Sequence, residues 1–200
     1  MDSLKYIEEH IKKTIETKQA ILADAGLMNR IVEAAEMCIA ALKNGNKIIF
    51  AGNGGSAADS QHLAAEFVSR FNFDRPGLAS IALTTDTSML TAIGNDYGFL
   101  QLFARQMQAN GRKGDVFFGI STSGNSANIL AAVEEAEKLG VKTVALCGSA
   151  GKLPEVCDLT LNVPSTSTPY IQESHISIGH IICGIVEEKM FAEYKPEHMK

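Results

Sequence analysis

His62 and Glu66 stand four residues apart in the stretch FAGNGGSAADSQHLAAEF, which runs from Phe50 to Phe67. On a helix that spacing puts both side chains on one face, sound geometry for two metal ligands. Just ahead of them an apolar run breaks into Gly54 and Gly55. A second stretch, FFGISTSGNSANIL from Phe117, repeats the design: an apolar run, a loop of Ser, Thr, Gly and Asn, then a helical run. Ser121, Thr122, Ser123 and Ser126 place four hydroxyls within six residues. A helix amino terminus exposes unpaired N–H groups and the positive end of a dipole. Hydroxyls and glycine-bared amides beside it bind an anion without any Lys or Arg, and a phosphate is the obvious guest. Helix capping alone needs one such residue, and STSGNS supplies more. Neither loop is a Walker loop, since no Gly-Lys-Ser/Thr follows. The pattern GxGxxG fails at Ala57, which argues against a dinucleotide fold. Two polar loops at strand carboxyl ends fit a phosphorylated ligand held across a switch point.

The elements that must hold these loops alternate. From Ser3 to about Lys43 the apolar positions recur at helical spacing, and two helices split near Asp24-Ala25-Gly26 are expected. Short apolar strands follow in Lys47-IIFAG, Leu78-ASIALT, Asp115-VFFGIS, Val141-KTVALCG and Leu159-TLNV. Between them lie helical patterns over Ser56–Phe71, Thr87–Ile93, Phe99–Ala109 and Ala127–Leu139, and a long one closes the chain from Pro169 to about Tyr194. Strands alternating with helices imply a parallel sheet covered on both faces. The expected fold is α/β: a three-layer sandwich around a five-stranded parallel sheet, with additional helices at both termini. With 200 residues, 46% hydrophobic and 20% charged, the chain suits a single domain over 1–200. It divides into an amino-terminal helical segment, 1–45, and an α/β core with its closing helix, 46–200.

A net charge of -5 argues against a nucleic-acid surface. The opening MDSLKYIEEHIKK has no signal core, and no apolar run reaches the length of a membrane span. Cys38, Cys147, Cys157 and Cys183 form no CxxC pair and read as reduced, mostly buried thiols of a cytoplasmic protein. The last helix is more apolar around its circumference than one sheet face requires. The run HISIGHIICGIV from His175 therefore predicts burial against other subunits.

GNGGSAADSQHLAAEFVSRF and STSGNSANIL together resemble the sugar isomerase (SIS) domain family, most of all its phosphoheptose isomerase branch. The resemblance extends through TTDTSMLTAIGNDYGF and the closing TPYIQESHISIGHIICGIVE. It implies a five-stranded parallel sheet and a homotetramer with active sites at subunit contacts. It implies that Ser121, Thr122, Ser123 and Ser126 hold a sugar phosphate. Asn53, Gly54, Gly55 and Ser56 match a substrate-contacting loop, as do Asn95 and Asp96, and Gln172 joins that set. His62, Glu66, Gln172 and His180 match a set that binds zinc.

The reaction so implied converts sedoheptulose 7-phosphate to D-glycero-D-manno-heptose 7-phosphate, supplying heptose for a bacterial lipopolysaccharide or capsule. It needs a base near carbon, a relay near oxygen and a group that polarises the carbonyl. Glu66 is expected to be the base and His180 the relay, with Asp96 as reserve base. A ligating carboxylate is a weaker base, so zinc and the base compete for Glu66. Arg70, one turn past Glu66, either orients it or forms a surface salt bridge, and His175 reads as structural or accessory. Gln172 and His180 sit eight residues apart, about 80° around the helix, and reach one site only if it is broad or bridged by metal. Two other readings remain: a non-enzymatic SIS scaffold that binds a replication initiator protein, and an isomerase for another sugar phosphate. The glutamate at position 66, which such scaffolds lack, favours the enzyme.

Overall fold

Two long helices come first. Asp2 accepts from the N–H groups of Leu4 and Lys5 and starts α1 (Ser3–Ala23). Asp24 ends α1 and caps α2 (Ala25–Lys43), accepting from the N–H of Leu27 at 2.9 Å. The expected split is thus an aspartate N-cap. The computed structural model describes residues 2–199; Met1 and Lys200, the two ends of the expected domain, lie outside the described residues.

From there strands and helices alternate as expected: β1 (Ile48–Gly52), α3 (Gly55–Val68), β2 (Ser80–Ala82), α4 (Thr87–Asp96), α5 (Leu102–Asn110), β3 (Val116–Ser121), α6 (Ala127–Leu139), β4 (Lys142–Cys147), α7 (Leu153–Val156), β5 (Leu159–Asn162) and α8 (Thr168–Phe191). The strands form one parallel sheet in the order β2-β1-β3-β4-β5. The chain leaves β1 toward β2 and then crosses back to β3, so β1 and β3 flank the switch point. The loops after them diverge there and leave a crevice.

The sheet is buried on both faces, which explains why its strands read as unbroken apolar runs. Ile48, Phe50, Val116, Phe118 and Ile120 pack against α2, α3 and α8. Ile49, Ala51 and Phe117 point the other way, against α4, α5 and α6. The three layers follow from this alternation. Asp115, just before β3, is tied to Lys47 before β1. Burial pushes its carboxyl up, but hydrogen bonds from Lys47, Asn46 and Arg112 outweigh that and hold it below the usual carboxylate range.

The structure departs from the expected elements at five places. The helix expected to reach Phe71 stops at Val68, because its last carbonyls are taken by the side chain of Arg75: Glu66 O at 2.8 Å and Phe67 O at 2.7 Å. β2 is shorter than the run Leu78–Thr84, since as an edge strand it pairs with β1 alone. The helix expected over Phe99–Ala109 opens as a 3₁₀ turn, Phe99–Gln101, after Gly98. The short α7, with a proline at its start, is a turn the apolar periodicity could not reveal. α8 ends at Phe191, and Tyr194 lies in a 3₁₀ turn beyond it.

α3 and α8 run parallel and close together. Gln172 lies against Gly55, and Gly179 against Leu63. A Cβ built on Gly179 would stand 2.4 Å from Leu63 Cδ2, so any larger residue here must displace the Leu63 side chain or the helix. Meanwhile Leu4, Ile7, Ile11 and Ile15 line the exposed side of α1, and Ile181 is exposed on α8.

Candidate active site

Both polar loops sit at the carboxyl ends of adjacent strands, with Gly52 of β1 in register with Ile120 of β3. Gly54 begins α3 with φ of 55°, a conformation that costs glycine nothing and other residues about 1 kcal/mol or more. Neither Gly54 nor Ser126, the N-caps of α3 and α6, makes a side-chain capping bond. The Ser126 hydroxyl turns instead to Ser121 Oγ, 2.8 Å away, and Ser123 Oγ lies 3.5 Å from Ser121 Oγ. Hydroxyls that bond one another rather than the helix end leave the amino terminus of α6 available to an anion. The chain around Gly124 braces this loop, with the N–H groups of Lys152 and Leu153 both donating to Gly124 O.

A pair of amides joins the two loops. Asn53 and Asn128 exchange two hydrogen bonds, each of 2.9 Å. Asn128 is buried in the first turn of α6 and Asn53 is half-buried. Nothing in the sequence separates Asn128 from an ordinary first-turn residue, and only the fold shows that it meets Asn53. Replacing Asn128 with Ala deletes both bonds, worth about 1–2 kcal/mol together. KM for a sugar phosphate is expected to rise about tenfold, with kcat changed less, in steady-state kinetics.

At the opposite end of α3 three donors converge. His62 Nε2 lies 2.7 Å from His180 Nε2 and 3.3 Å from Glu66 Oε1. One ligand atom from each residue falls within 4.8 Å of the others. Helical spacing places His62 and Glu66 together, and the close approach at Gly179 brings His180 to them. Two ring nitrogens at this separation cannot both carry a hydrogen: they share one proton or both face a cation. Burial lowers the pKa of His180 and His62 adds to that, while Glu66 pulls it up. Two imidazoles and one carboxylate are a donor set that suits zinc and leaves a fourth position open. The Phe71 ring leans on His180, with centroids 5.4 Å apart. His180 also stands on the wall of an open apolar groove of about 490 Å³, shared with Phe71, Ile181 and Ile185.

The other expected residues are more dispersed. The Gln172 amide packs against Gly55 at the amino end of α3, where a Cβ would meet its Nε2 at 1.8 Å. Gln172 is therefore beside the first loop, whereas His180 is about 12 Å further along α8 at 1.5 Å per residue. Ser56 is buried beneath that loop. Thr122 is half-buried and Ser123 exposed. Asn95 and Asp96 are exposed at the end of α4, in the helix layer across the sheet from α8, where Asn95 donates to Asp96 Oδ1 at 2.8 Å. Arg70 lies past the end of α3, so helical spacing no longer aligns it with Glu66, and it is exposed. His175 is fully buried, which pushes its imidazole down to about 4 and keeps it neutral. Asp59 went unnoticed in the sequence: it is half-buried beside Gln172, its carboxyl pushed up to about 6 by burial while His62 pulls it down.

Comparison with known proteins shows the family. Residues 7–148 match the family model for the SIS domain. The chain is 60% identical over 187 residues to a phosphoheptose isomerase of Aneurinibacillus thermoaerophilus, covering 93% of this chain and 94% of the relative. It is 61% identical over 189 residues to phosphoheptose isomerase 2 of Campylobacter jejuni, covering 94% of each. The solved phosphoheptose isomerase of Francisella tularensis superposes with a TM-score of 0.90 at 40% identity, covering 94% of this chain and 100% of that one. The one from Neisseria gonorrhoeae gives 0.87 at 44% identity, covering 92% and 98%. The chain belongs to the SIS domain family, in its phosphoheptose isomerase branch.

Proposed function

We propose that this protein isomerises sedoheptulose 7-phosphate to D-glycero-D-manno-heptose 7-phosphate, the first step toward the nucleotide-activated heptose of a bacterial lipopolysaccharide or capsule. The observation that carries the reading is the meeting of His62, Glu66 and His180 on two helices whose neighbouring loops are built for a phosphate. Ser121, Thr122, Ser123 and Ser126 would hold the phosphate. Asn53, Gly54, Gly55, Ser56 and Gln172 would line the sugar, with Asn95 and Asp96 exposed where a sugar at a subunit boundary could meet them.

The Glu66 carboxylate would take the proton from C1 of the ketose, and the C–H electron pair moves to form the enediolate. His180 would carry a proton between the two adjacent oxygens, a task suited to an imidazole. Glu66 then returns its proton at C2, which completes the aldose with no net gain or loss of protons. His62, Glu66 and His180 would hold a zinc ion, in competition with the base and relay roles of Glu66 and His180, and Gln172 would be a fourth ligand only if a neighbouring subunit brings its amide nearer. Zinc there would polarise the sugar oxygens.

The assembly we propose is a homotetramer with active sites at subunit contacts, working in the cytoplasm. Two features support it: the apolar row on α1, and the groove beside His180, which lies open in a single chain. No helix among the described residues is long and apolar enough to cross a membrane.

The test is to incubate the purified protein with sedoheptulose 7-phosphate and follow aldose signals by NMR, with and without a chelator. Turnover that chelation abolishes and zinc restores is the expected result. Turnover indifferent to chelation would keep the isomerase and remove the metal. No turnover in either sample would overturn the reading.

A further inference from the structure

Arg75 and Glu187 form an ion pair that is almost wholly buried, with side chains 2% and 0% exposed, and no step of the reaction uses it. Burying two charges is costly unless both are fully hydrogen-bonded, and here both are. Glu187 Oε1 accepts from Arg75 Nε at 3.1 Å and from the Phe71 N–H at 2.8 Å; Oε2 accepts from the Asn72 N–H at 2.6 Å. The guanidinium spends its other nitrogens on main-chain carbonyls. Nη2 donates to Glu66 O at 2.8 Å, and Nη1 to Phe67 O at 2.7 Å and to Ser69 O and Pro76 O at 3.1 Å. The Phe191 ring covers the guanidinium, 5.9 Å from its centre.

Each partner reaches one helix of the candidate active site. Arg75 closes the carboxyl end of α3 on the carbonyl of Glu66 itself, where a cation also complements the helix dipole. Glu187 lies seven residues past His180 on α8, about two turns along, and so on nearly the same side of the helix. It fixes the main chain of Phe71, whose ring rests on the His180 imidazole. One salt bridge thus ties the helix of His62 and Glu66 to the helix of His180, and its contacts end on two of the three converging residues.

We propose that Arg75 and Glu187 are positioning residues that set the spacing of Glu66 and His180. This rests on the reading of His62, Glu66 and His180 as the reacting cluster. The pair would act on the chemical step and on metal affinity, and leave phosphate recognition alone, because the phosphate loops lie at the other end of α3.

The test compares wild type with the double variant R75M/E187L, which removes both charges together and avoids stranding one. Thermal unfolding checks the fold. Steady-state kinetics, inhibition by inorganic phosphate, and zinc affinity by competition against a chromophoric chelator complete the comparison. The expected result is a folded protein with kcat at least tenfold lower, KM and phosphate inhibition within about twofold, and zinc affinity at least tenfold weaker. A folded double variant with kcat and zinc affinity unchanged would overturn the proposal. If the double variant does not fold, Phe71→Ala severs the link to His180 at a half-buried position. It must then lower kcat and zinc affinity without moving phosphate inhibition, and no change in either would overturn the proposal. Zinc affinity needs no turnover, so a wild type inactive on sedoheptulose 7-phosphate would refute the function while leaving this comparison readable.

Discussion

Glu66→Gln is expected to lower kcat about a thousandfold while leaving KM within a few-fold, in line with the contribution of a positioned general base. Glutamine keeps the volume of the side chain and its place one turn from His62, but it cannot take a proton from carbon. The carboxylate is half-buried with an imidazole nitrogen 3.3 Å away, so the substitution changes the chemistry and little else. Measured zinc affinity separates the two roles of the residue. A loss of kcat that excess zinc repairs would make Glu66 a ligand alone. A loss that persists at saturating zinc is the expected result. Full turnover in the variant would pass the role of base to another carboxylate, Asp96 first.

Gly179→Ala is the second large effect. The new methyl would lie 2.4 Å from Leu63 Cδ2 and 2.7 Å from Cδ1, and Leu63 is buried among Phe50, Phe67 and Phe118, so its side chain or the helix must shift. Overpacking of this kind costs about 2 kcal/mol, or roughly 6 °C in Tm for a chain of this size. The helices relieve the clash by moving apart, and the neighbouring His62–His180 contact widens with them. A fall in kcat of about tenfold or more is therefore expected alongside the fall in Tm. Adding Leu63→Ala to this background removes the obstructing atoms, and the double variant should recover part of the kcat loss as a positive coupling between the two sites. Equal Tm for wild type and Gly179→Ala would show that the helices have slack at this crossing.

The sheet and most helices were legible because both sheet faces are buried, which writes each strand as an apolar run between polar loops. Ala127–Leu139 and the split at Asp24 were readable from periodicity and capping chemistry alone. The two loops were readable as strand-to-helix turns because Gly, Ser and Asn interrupt the apolar runs there. What stayed hidden depends on contacts between distant segments. Nothing local marks Asn128 as the partner of Asn53, or Glu187 as the acceptor for Phe71 and Asn72. Arg70 drew attention by its helical spacing from Glu66, but the helix ends before it. Arg75, in a stretch with no periodicity, is the arginine that holds Glu66 by its carbonyl. Gln172 and His180 share a helix in the sequence, yet the fold sends one to the first loop and the other to the histidine cluster.

The nitrogens that meet at 2.7 Å are 118 residues apart in the chain. During synthesis, which proceeds from the amino end, the ribosome delivers β1 and α3 early, β3 and α6 in the middle, and α8 last. The strands that carry both polar loops are thus made before the final helix, and His62 and Glu66 wait for a partner that does not yet exist. An unfinished molecule lacks the third member of the cluster. The cluster is completed in one step, when the last helix docks, so a chain cut short before His180 is expected to have no activity at all.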